Sequence, residues 1–251
     1  SFEVALWEMK AKRSGLSLAK LLGTQRDSVR CYNTSGGFLH IPLEELLNNA
    51  TSSRAKGIGG IKIKVGQPDW ALDIRRVEAV RKHIGDFPLM VDANQQWDRP
   101  TAQRMCRILE QYNLIWIEEP LDCYDYEGHA ALASHFDTAI ATGEMLTSAA
   151  EHAELIRHCG ADYVQADAAR VGGITPFLKV AALAEHAGLL LAPHFAMELH
   201  IHLAAAYPRE PWVEHIEWLQ PLFNERMKII NGRMVLPPRP GLGLSWSGLV
   251  A

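Results

Sequence analysis

The sequence lacks the features that mark membrane proteins, nucleic-acid-binding proteins and disulfide-stabilised secreted proteins. No hydrophobic run approaches the roughly 20 apolar residues of a membrane helix. A formal net charge of −4 gives no electrostatic basis for binding nucleic acid or an anionic membrane. The four cysteines are scattered, with neither a CxxC pair nor the spacing of a zinc site. We therefore expect a cytoplasmic protein that binds neither membranes nor nucleic acid.

Nucleotide-binding motifs are also missing. No GxGxxG or GxxxxGK[ST] motif follows a predicted strand, which weakens the case for an open, nucleotide-binding sheet. With 251 residues, 48% of them hydrophobic, the chain is long enough to bury a large core. Eight predicted strands alternate with helical segments. The strands cover residues 29–35, 60–65, 88–93, 114–119, 138–144, 162–167, 189–194 and 212–216.

This alternation predicts an α/β fold with a closed parallel (β/α) barrel of the TIM type. A doubly wound open sheet is the alternative, because the number of strands does not by itself show closure. Two of the intervening helices have predicted ends: Gly85 should stop the helix that begins near residue 69, and Asn113 should cap the one that begins at Pro100.

The two ends of the chain differ from this repeat. After the eighth strand, the segment IINGRMVLP predicts a β-hairpin with an Asn231-Gly232 turn. The first residues, SFEVALWEMKAKRSG, predict an amphipathic helix rather than a signal peptide. Because the chain starts in mid-helix and without Met, we expect it to be a fragment of a longer protein.

Ionisable residues recur at the predicted C-terminal ends of the strands, where barrel enzymes carry their active sites. In the second strand, GGIKIKVG, isoleucine alternates with lysine, so Lys62 and Lys64 point to the same face. Two neighbouring ammonium groups indicate either an exposed, solvated strand face or an anionic partner opposite them. In chain order, the strand-end residues are Lys62, Lys64, Asp92, Asn94, Glu118, Glu119, Glu144, Asp167, His194 and Glu214.

Three of these carboxylates, Asp92, Glu118 and Glu144, come from three adjacent strands. Adjacent strands lie about 4.8 Å apart, so the side chains can converge on one point. Any one of them alone is more often a helix cap or a solvated loop residue. Three converging carboxylates would repel one another unless a cation joined them, and an all-oxygen ligand set favours Mg²⁺, or Mn²⁺ as a substitute, over zinc.

Two candidate acid/base residues flank this predicted metal site. Lys64 ends the second strand and His194 ends the seventh. Asp167 ends the neighbouring sixth strand, where it can hydrogen-bond one ring nitrogen of His194 and set its tautomer.

The other motifs have simpler interpretations. In MELHIH, His200 and His202 form an HxH pair, but positions i and i+2 do not share a helix face, so we expect a surface helix rather than a zinc site. We interpret EWLQPLF as packing. Five further histidines fall in predicted helices and are expected on the surface: His83, His129, His135, His152 and His158.

The strand-end segments IKIKVG, MVDANQQWD, WIEEPLDCYDYEGH, TGEML, DAARVGGIT and PHFAMELH closely resemble the mandelate racemase subgroup of the enolase superfamily. The resemblance implies a (β/α)7β barrel and an enzyme that removes a proton next to a carboxylate. It implies Asp92, Glu118 and Glu144 as Mg²⁺ ligands, Lys64 and the His194–Asp167 dyad as acid/base groups, and Lys62, Asn94 and Glu214 as substrate-binding residues.

Within the subgroup, the segment PHFAMELHIHLAAAYPREPWVEHIEWLQPLFNE most resembles the acid-sugar dehydratases that act on L-talarate and galactarate. Such a lyase abstracts the proton α to a carboxylate, forms a metal-stabilised enediolate and eliminates the β-hydroxyl, which gives a 2-keto-3-deoxy acid. A racemase or epimerase of 2-hydroxy acids would use the same residues. A zinc amidohydrolase barrel would need histidine ligands on the first strand, and VRCYNTS has none.

The resemblance also implies domain boundaries. Residues 1–24 would be the last helix of an N-terminal α+β capping domain that is otherwise missing, 25–217 the barrel, and 218–251 a hairpin and tail of the capping region. Much of the substrate specificity in this subgroup comes from the cap. We further expect a homo-oligomer.

Overall fold

The computed structural model describes residues 2–24 and 26–248. Within them lie ten strands and nine α-helices. The strands are β1 (Ser28–Asn33), β2 (Ile61–Lys64), β3 (Leu89–Asp92), β4 (Ile117–Glu118), β5 (Ile140–Thr142), β6 (Tyr163–Val164), β7 (Leu190–Leu191), β8 (Trp212–His215), β9 (Lys228–Ile230) and β10 (Arg233–Val235). The helices are α1 (Phe2–Arg13), α2 (Leu18–Leu21), α3 (Leu43–Ala55), α4 (Trp70–Ile84), α5 (Arg99–Leu109), α6 (Tyr126–His135), α7 (Ala149–Arg157), α8 (Ile174–His186) and α9 (Met197–Ala205).

The first eight strands form a parallel barrel. Strands β1 to β7 pair with their neighbours in chain order, and β8 pairs in parallel with β1. An open doubly wound sheet would not bring the last strand back to the first, so the barrel prediction is confirmed and its alternative is wrong. Among the described strands no backbone ladder joins β7 to β8, and α9, which follows β7, packs against β8.

All eight predicted barrel strands are present, but they are shorter than predicted. The fourth illustrates the reason: it was predicted over 114–119, and the ladder contains only Ile117–Glu118. Glu119 has φ 39°, a left-handed conformation that a strand does not tolerate. The chain therefore turns at the strand ends, where the ionisable residues lie.

Helix ends follow the predicted signals. Asp69 caps α4 by accepting a hydrogen bond from the Ala71 N–H, and Gly85 ends the helix with φ 62°. Pro100 lies in the first turn of α5, and a short 3₁₀ turn then leads to Asn113, which is left-handed with φ 48°. Both predicted stops are confirmed, because Gly and Asn adopt positive φ at low cost.

The predicted hairpin is also confirmed. Strands β9 and β10 pair antiparallel across Asn231 and Gly232, which have φ 49° and 78°. β10 then pairs antiparallel with β1 and extends the sheet outside the barrel. No helix among the described residues is long and apolar enough to cross a membrane.

Aromatic side chains fill the barrel below the strand ends. Tyr32, Trp116 and Trp212 meet edge to face, with ring centroids 5.1 Å apart for Tyr32 and Trp116 and 6.4 Å apart for Tyr32 and Trp212. The Trp116 indole N–H donates a 2.9 Å hydrogen bond to Glu118 Oε2. The aromatic layer therefore holds a strand-end carboxylate from beneath.

Gly37, in the turn after β1, lies against the backbone of β2. A Cβ at this position would be 2.3 Å from the Lys62 carbonyl oxygen and 2.8 Å from Ile63 Cα. We expect Gly37→Ala to lower the free energy of unfolding by about 1–3 kcal/mol, because backbone cannot move aside as a flexible side chain does. In urea denaturation, Gly248→Ala serves as the control, since its Cβ would meet nothing within 4 Å. Equal stability of the two variants would contradict this prediction.

Candidate active site

Parallel register brings ionisable side chains together at the C-terminal ends of the barrel strands, which we call the barrel mouth. Lys64 pairs with Asp92 across β2 and β3, and Asp92 pairs with Glu118 across β3 and β4. Glu144 follows β5 by two residues. Residues far apart in sequence therefore share one level of the barrel, as their strand-end positions predict.

Asp92, Glu118 and Glu144 form a buried carboxylate cluster. Each offers one oxygen, and these oxygens all lie within 4.8 Å of one another. Asp92 and Glu118 are fully buried. Burial, followed by the charge of Asp92, raises the pKa of Glu118 well above its ordinary value. A cation would stabilise the charged form of such a group, and an all-carboxylate donor set suits a hard divalent ion, so the cluster fits Mg²⁺.

A cavity opens at the barrel mouth, and Lys62, which is only 1% exposed, is one of the residues that line it. Its ammonium nitrogen is 2.5 Å from Glu118 Oε1, 3.1 Å from Glu214 Oε1 and 3.5 Å from Asp92 Oδ2. Burial alone would lower the pKa of Lys62, but the charges of Glu118 and Glu214 outweigh it and raise the pKa well above the ordinary value. Lys62 is therefore a fixed positive charge and not a proton acceptor.

Lys64 occupies a different environment from Lys62, although both point to the same face of β2. Its side chain is 16% exposed, forms an ion pair with Asp92 and lines the cavity at the mouth. Both lysines line this cavity, and the side chain of Lys64 is the more exposed of the two.

His194 and Asp167 form a hydrogen-bonded pair between the loops that follow β7 and β6. Nδ1 of His194 is 3.0 Å from Asp167 Oδ2, and Nε2 is 3.5 Å from Glu144 Oε2. Burial lowers the pKa of His194, but the hydrogen bond to Asp167 and the charge of Glu144 outweigh it and raise the pKa above 6.5. Because Nδ1 is directed at Asp167, Nε2 is the nitrogen that faces the carboxylate cluster.

Glu214, on β8, is held by three donors. It accepts hydrogen bonds from the Thr34 hydroxyl at 2.6 Å and from the Phe195 N–H at 2.9 Å, and it pairs with Lys62. Burial raises its pKa, but the charges of Lys62 and His194, followed by these two hydrogen bonds, lower it to about 2. Its role as a partner of a substrate carboxylate remains a prediction.

Asn94 lies beside the carboxylate cluster, where its backbone N–H donates a 2.8 Å hydrogen bond to Asp92 Oδ1. In the described part of the chain the cavity lining includes neither its side chain nor those of Asp92, Glu118 and Asp167. Its role in substrate binding remains a prediction. Glu119, next to Glu118, is buried and accepts a hydrogen bond from the Gln95 amide.

An aromatic wall borders the cavity at the mouth, which has a volume of about 160 Å³. Trp218 stacks on Phe38 with ring centroids 6.4 Å apart and contacts Phe195 at 5.7 Å. Trp218 is 63% exposed, so the interpretation of EWLQPLF as packing is wrong for this residue. Sequence reasoning missed Trp218, Phe195 and Thr34 because their proximity depends on how the loops fold.

The sequence matches the family described as enolase C-terminal domain-like over residues 45–249. The chain belongs to the enolase C-terminal domain-like family. Membership in the enolase family removes the zinc amidohydrolase alternative, which also lacks support from the all-carboxylate cluster.

Several relatives of this enolase-family chain have known identities. It is 66% identical over 246 residues to L-talarate/galactarate dehydratase of Salmonella typhimurium. The alignment covers 98% of this chain and 62% of that protein. It is 38% identical to 3,6-anhydro-alpha-L-galactonate cycloisomerase of Streptomyces coelicolor, covering 96% of this chain and 67% of the relative. The chain thus spans about two thirds of the length of these relatives.

A crystal structure of L-talarate dehydratase from Polaromonas sp. JS666, complexed with Mg and L-glucarate, has the same barrel. The two chains are 77% identical and superpose with a TM-score of 0.97, over 98% of this chain and 69% of the other.

The histidine predictions for this enolase-family barrel are partly wrong. His83 and His135 are exposed as predicted. Four others were expected on the surface, and the structure buries them completely: His129, His152, His200 and His202. For His200 and His202 the reason is that α9 packs against β1, β8 and α2, so that it has no solvent face.

His202 holds two distant segments together. Its Nδ1 accepts a 3.3 Å hydrogen bond from the Ala19 N–H, and its Nε2 lies 3.1 Å from the Leu242 carbonyl oxygen, to which it donates. Burial lowers the pKa of His202 from 6.5 to about 4.

His202 should therefore make stability depend on pH. Below pH 6.5 the unfolded chain binds a proton at this histidine that the folded protein excludes until about pH 4. The free energy of unfolding should fall by up to about 3 kcal/mol as the pH drops through this window. Urea denaturation of wild type and His202→Gln checks this: their stabilities should converge as the pH falls, and parallel profiles would contradict the prediction.

Proposed function

We propose that this chain carries the active site of a Mg²⁺-dependent acid-sugar dehydratase. Its substrate is an aldarate, either galactarate or L-talarate, and its product is a 2-keto-3-deoxy acid. The observation that carries the proposal is the buried cluster of Asp92, Glu118 and Glu144 with Lys64 on one side and the His194–Asp167 pair on the other. The 66% identity to an L-talarate/galactarate dehydratase supports the choice of substrate class.

Asp92, Glu118 and Glu144 would hold the Mg²⁺. Bound there, the ion would offset negative charge on the substrate carboxylate as the α-proton leaves. The ammonium group of Lys62, fixed by three carboxylates, supplies a second positive charge beside the same position.

Two residues move protons in this proposal. Lys64 or His194 takes the α-proton, depending on which face of the substrate carries it. In its protonated form, which the hydrogen bond to Asp167 stabilises, His194 gives a proton to the departing β-hydroxyl, which leaves as water when the carbon–oxygen bond breaks. The resulting enol gains a proton at the β-carbon and becomes the 2-keto acid.

The remaining predicted residues bind substrate in this proposal. Glu214 would hydrogen-bond the substrate carboxylate in its protonated form, which a second negative charge beside it favours, and Asn94 would line the site. Part of the specificity would come from segments outside this chain, which spans about two thirds of its relatives. The domain boundaries at residues 24 and 217, a homo-oligomeric state and a cytoplasmic location are also part of the proposal.

Epimerisation is a second candidate activity, because Lys64 ends β2 and His194 follows β7, and the strands that lead to the carboxylate cluster, β3 to β5, lie between them. A proton removed from one face by one residue can be returned to the other face by the other residue. Product analysis separates this activity from dehydration.

The test is a screen of the intact protein with Mg²⁺ against a panel of aldaric and aldonic acids in D₂O. We expect formation of a 2-keto acid from galactarate or L-talarate, together with exchange of the α-proton. Exchange without a keto product would favour the epimerase. The absence of both reactions, or equal rates in EDTA, would refute the proposed function.

A further inference from the structure

His200 joins the two loops that carry the His194–Asp167 pair. It is fully buried on α9, with Nδ1 2.8 Å from the Phe195 carbonyl oxygen and Nε2 3.0 Å from the Ala168 nitrogen. A backbone N–H only donates and a carbonyl only accepts. The ring therefore carries its proton on Nδ1, donates to Phe195 and accepts from Ala168.

The two backbone groups that His200 binds follow the catalytic pair directly in sequence. Ala168 is the residue after Asp167, and Phe195 is the residue after His194. One rigid imidazole ring thus fixes the separation of the two loops behind the 3.0 Å hydrogen bond between His194 and Asp167. A protonated ring could not accept from Ala168, and burial favours the neutral form by lowering the pKa of His200.

The Phe195 turn needs such support because its backbone is strained. Phe195 and Ala196 have φ 57° and 34°, in the left-handed region that is rare for residues other than glycine. Conformations of this kind persist only when the surroundings hold them. Glu214 binds the Phe195 N–H and His200 binds its carbonyl, so both backbone polar groups of this residue are held.

We propose that His200 is a positioning residue: by holding the Ala168 N–H and the Phe195 carbonyl, it fixes the alignment of His194 with Asp167 for proton transfer. The kinetic part of this inference rests on the dehydratase function proposed above. His200 touches no substrate and acts only through the two loops.

Two substitutions each remove one of the two bonds. His200→Gln keeps an acceptor near the Nε2 position for Ala168 and removes the donor to Phe195. His200→Asn keeps a donor near the Nδ1 position for Phe195 and removes the acceptor for Ala168. The matched control is His202→Gln. His202 is on the same helix, equally buried and bonded to two backbone groups, but those belong to Ala19 and Leu242.

The kinetic readout uses the intact protein with Mg²⁺ and galactarate or L-talarate. Both His200 variants should lower kcat roughly 10- to 100-fold, because small displacements of a catalytic group are costly. The KM should stay within about twofold, since Lys62 and the carboxylate cluster are untouched. His202→Gln should change neither constant. An unchanged kcat in both His200 variants, or an equal fall in His202→Gln, would overturn the proposal.

A second readout does not depend on activity. In NMR spectra of the Mg²⁺-free protein, the Nδ1 proton of His194 should be protected from exchange by its bond to Asp167. We expect this signal in wild type and His202→Gln, and its loss in both His200 variants. If the signal survives in all variants, the positioning role is wrong. If the pattern holds but no acid sugar is converted, the positioning role stands and the proposed function is wrong.

Discussion

Replacing Lys62 by methionine should lower the free energy of unfolding of the Mg²⁺-free protein by about 3–5 kcal/mol, because it removes one partner of a buried charge network. Asp92, Glu118 and Glu214 would remain buried with their shared ammonium partner gone. Urea denaturation with and without Mg²⁺ measures the effect. Mg²⁺ should recover part of the loss, since an ion that binds only the folded carboxylate cluster stabilises it by mass action.

Lys64→Met is the matched control for this experiment. Lys64 comes from the same strand and the same face, but its side chain is partly exposed and pairs with Asp92 alone. Its loss should cost less, on the order of 1 kcal/mol, because its ammonium group is partly solvated and Asp92 keeps Lys62 as a partner. If Lys62→Met were as stable as Lys64→Met without Mg²⁺, the fixed-charge role of Lys62 would be wrong.

The second large effect concerns Lys64 and His194, the two residues proposed to transfer protons. Lys64→Ala and His194→Asn should each slow dehydration by roughly 10²- to 10⁴-fold, the range usual for loss of a general acid or base. Each variant should also lose exchange of the α-proton on one substrate face and retain it on the other. NMR of the substrate in D₂O follows the two faces separately when epimeric acids are compared.

An exposed lysine supplies the control for Lys64. Lys82 is exposed near the end of α4, which leads into the start of β3 at the opposite end of the barrel from the mouth, and Lys82→Ala should leave both reactions unchanged. Full activity of Lys64→Ala on every acid tested would refute its assignment. Loss of exchange on both faces in a folded Lys64→Ala variant would show that the two residues do not act independently.

The strand-end carboxylates were predictable because two simple rules combine there. Strands alternate with helices, and parallel barrels bring the ends of all strands to one rim. Asp92 and Glu118 therefore had to share a level, and their register confirms it. Such reasoning needs only the position of each residue along its own strand.

The burial of His200 and His202 was not predictable in the same way. The segment MELHIH looks like an ordinary helix, and the residues that cover it lie far away in sequence. His202 binds Ala19 and Leu242, and His200 binds Ala168. The left-handed Phe195 is equally invisible, because only tertiary contacts hold that conformation.

Strand β2 shows a second limit of prediction from the sequence. GGIKIKVG indicated two lysines on one face, and their different environments follow from the side chains opposite them. Lys62 meets Glu118 and Glu214 from across the barrel, whereas Lys64 meets Asp92 at the rim. The difference between the environments of the two lysines thus depends on how the barrel closes and not on the sequence of β2 alone.

The most direct test of the central claim is calorimetric titration of the intact protein with Mg²⁺. The carboxylate cluster predicts one bound ion per chain, and weaker or absent binding in Asp92→Asn, Glu118→Gln and Glu144→Gln. Glu119→Gln, a neighbouring buried carboxylate outside the cluster, should keep the ion. No binding to the wild type, or unchanged binding in the three cluster variants, would contradict the account.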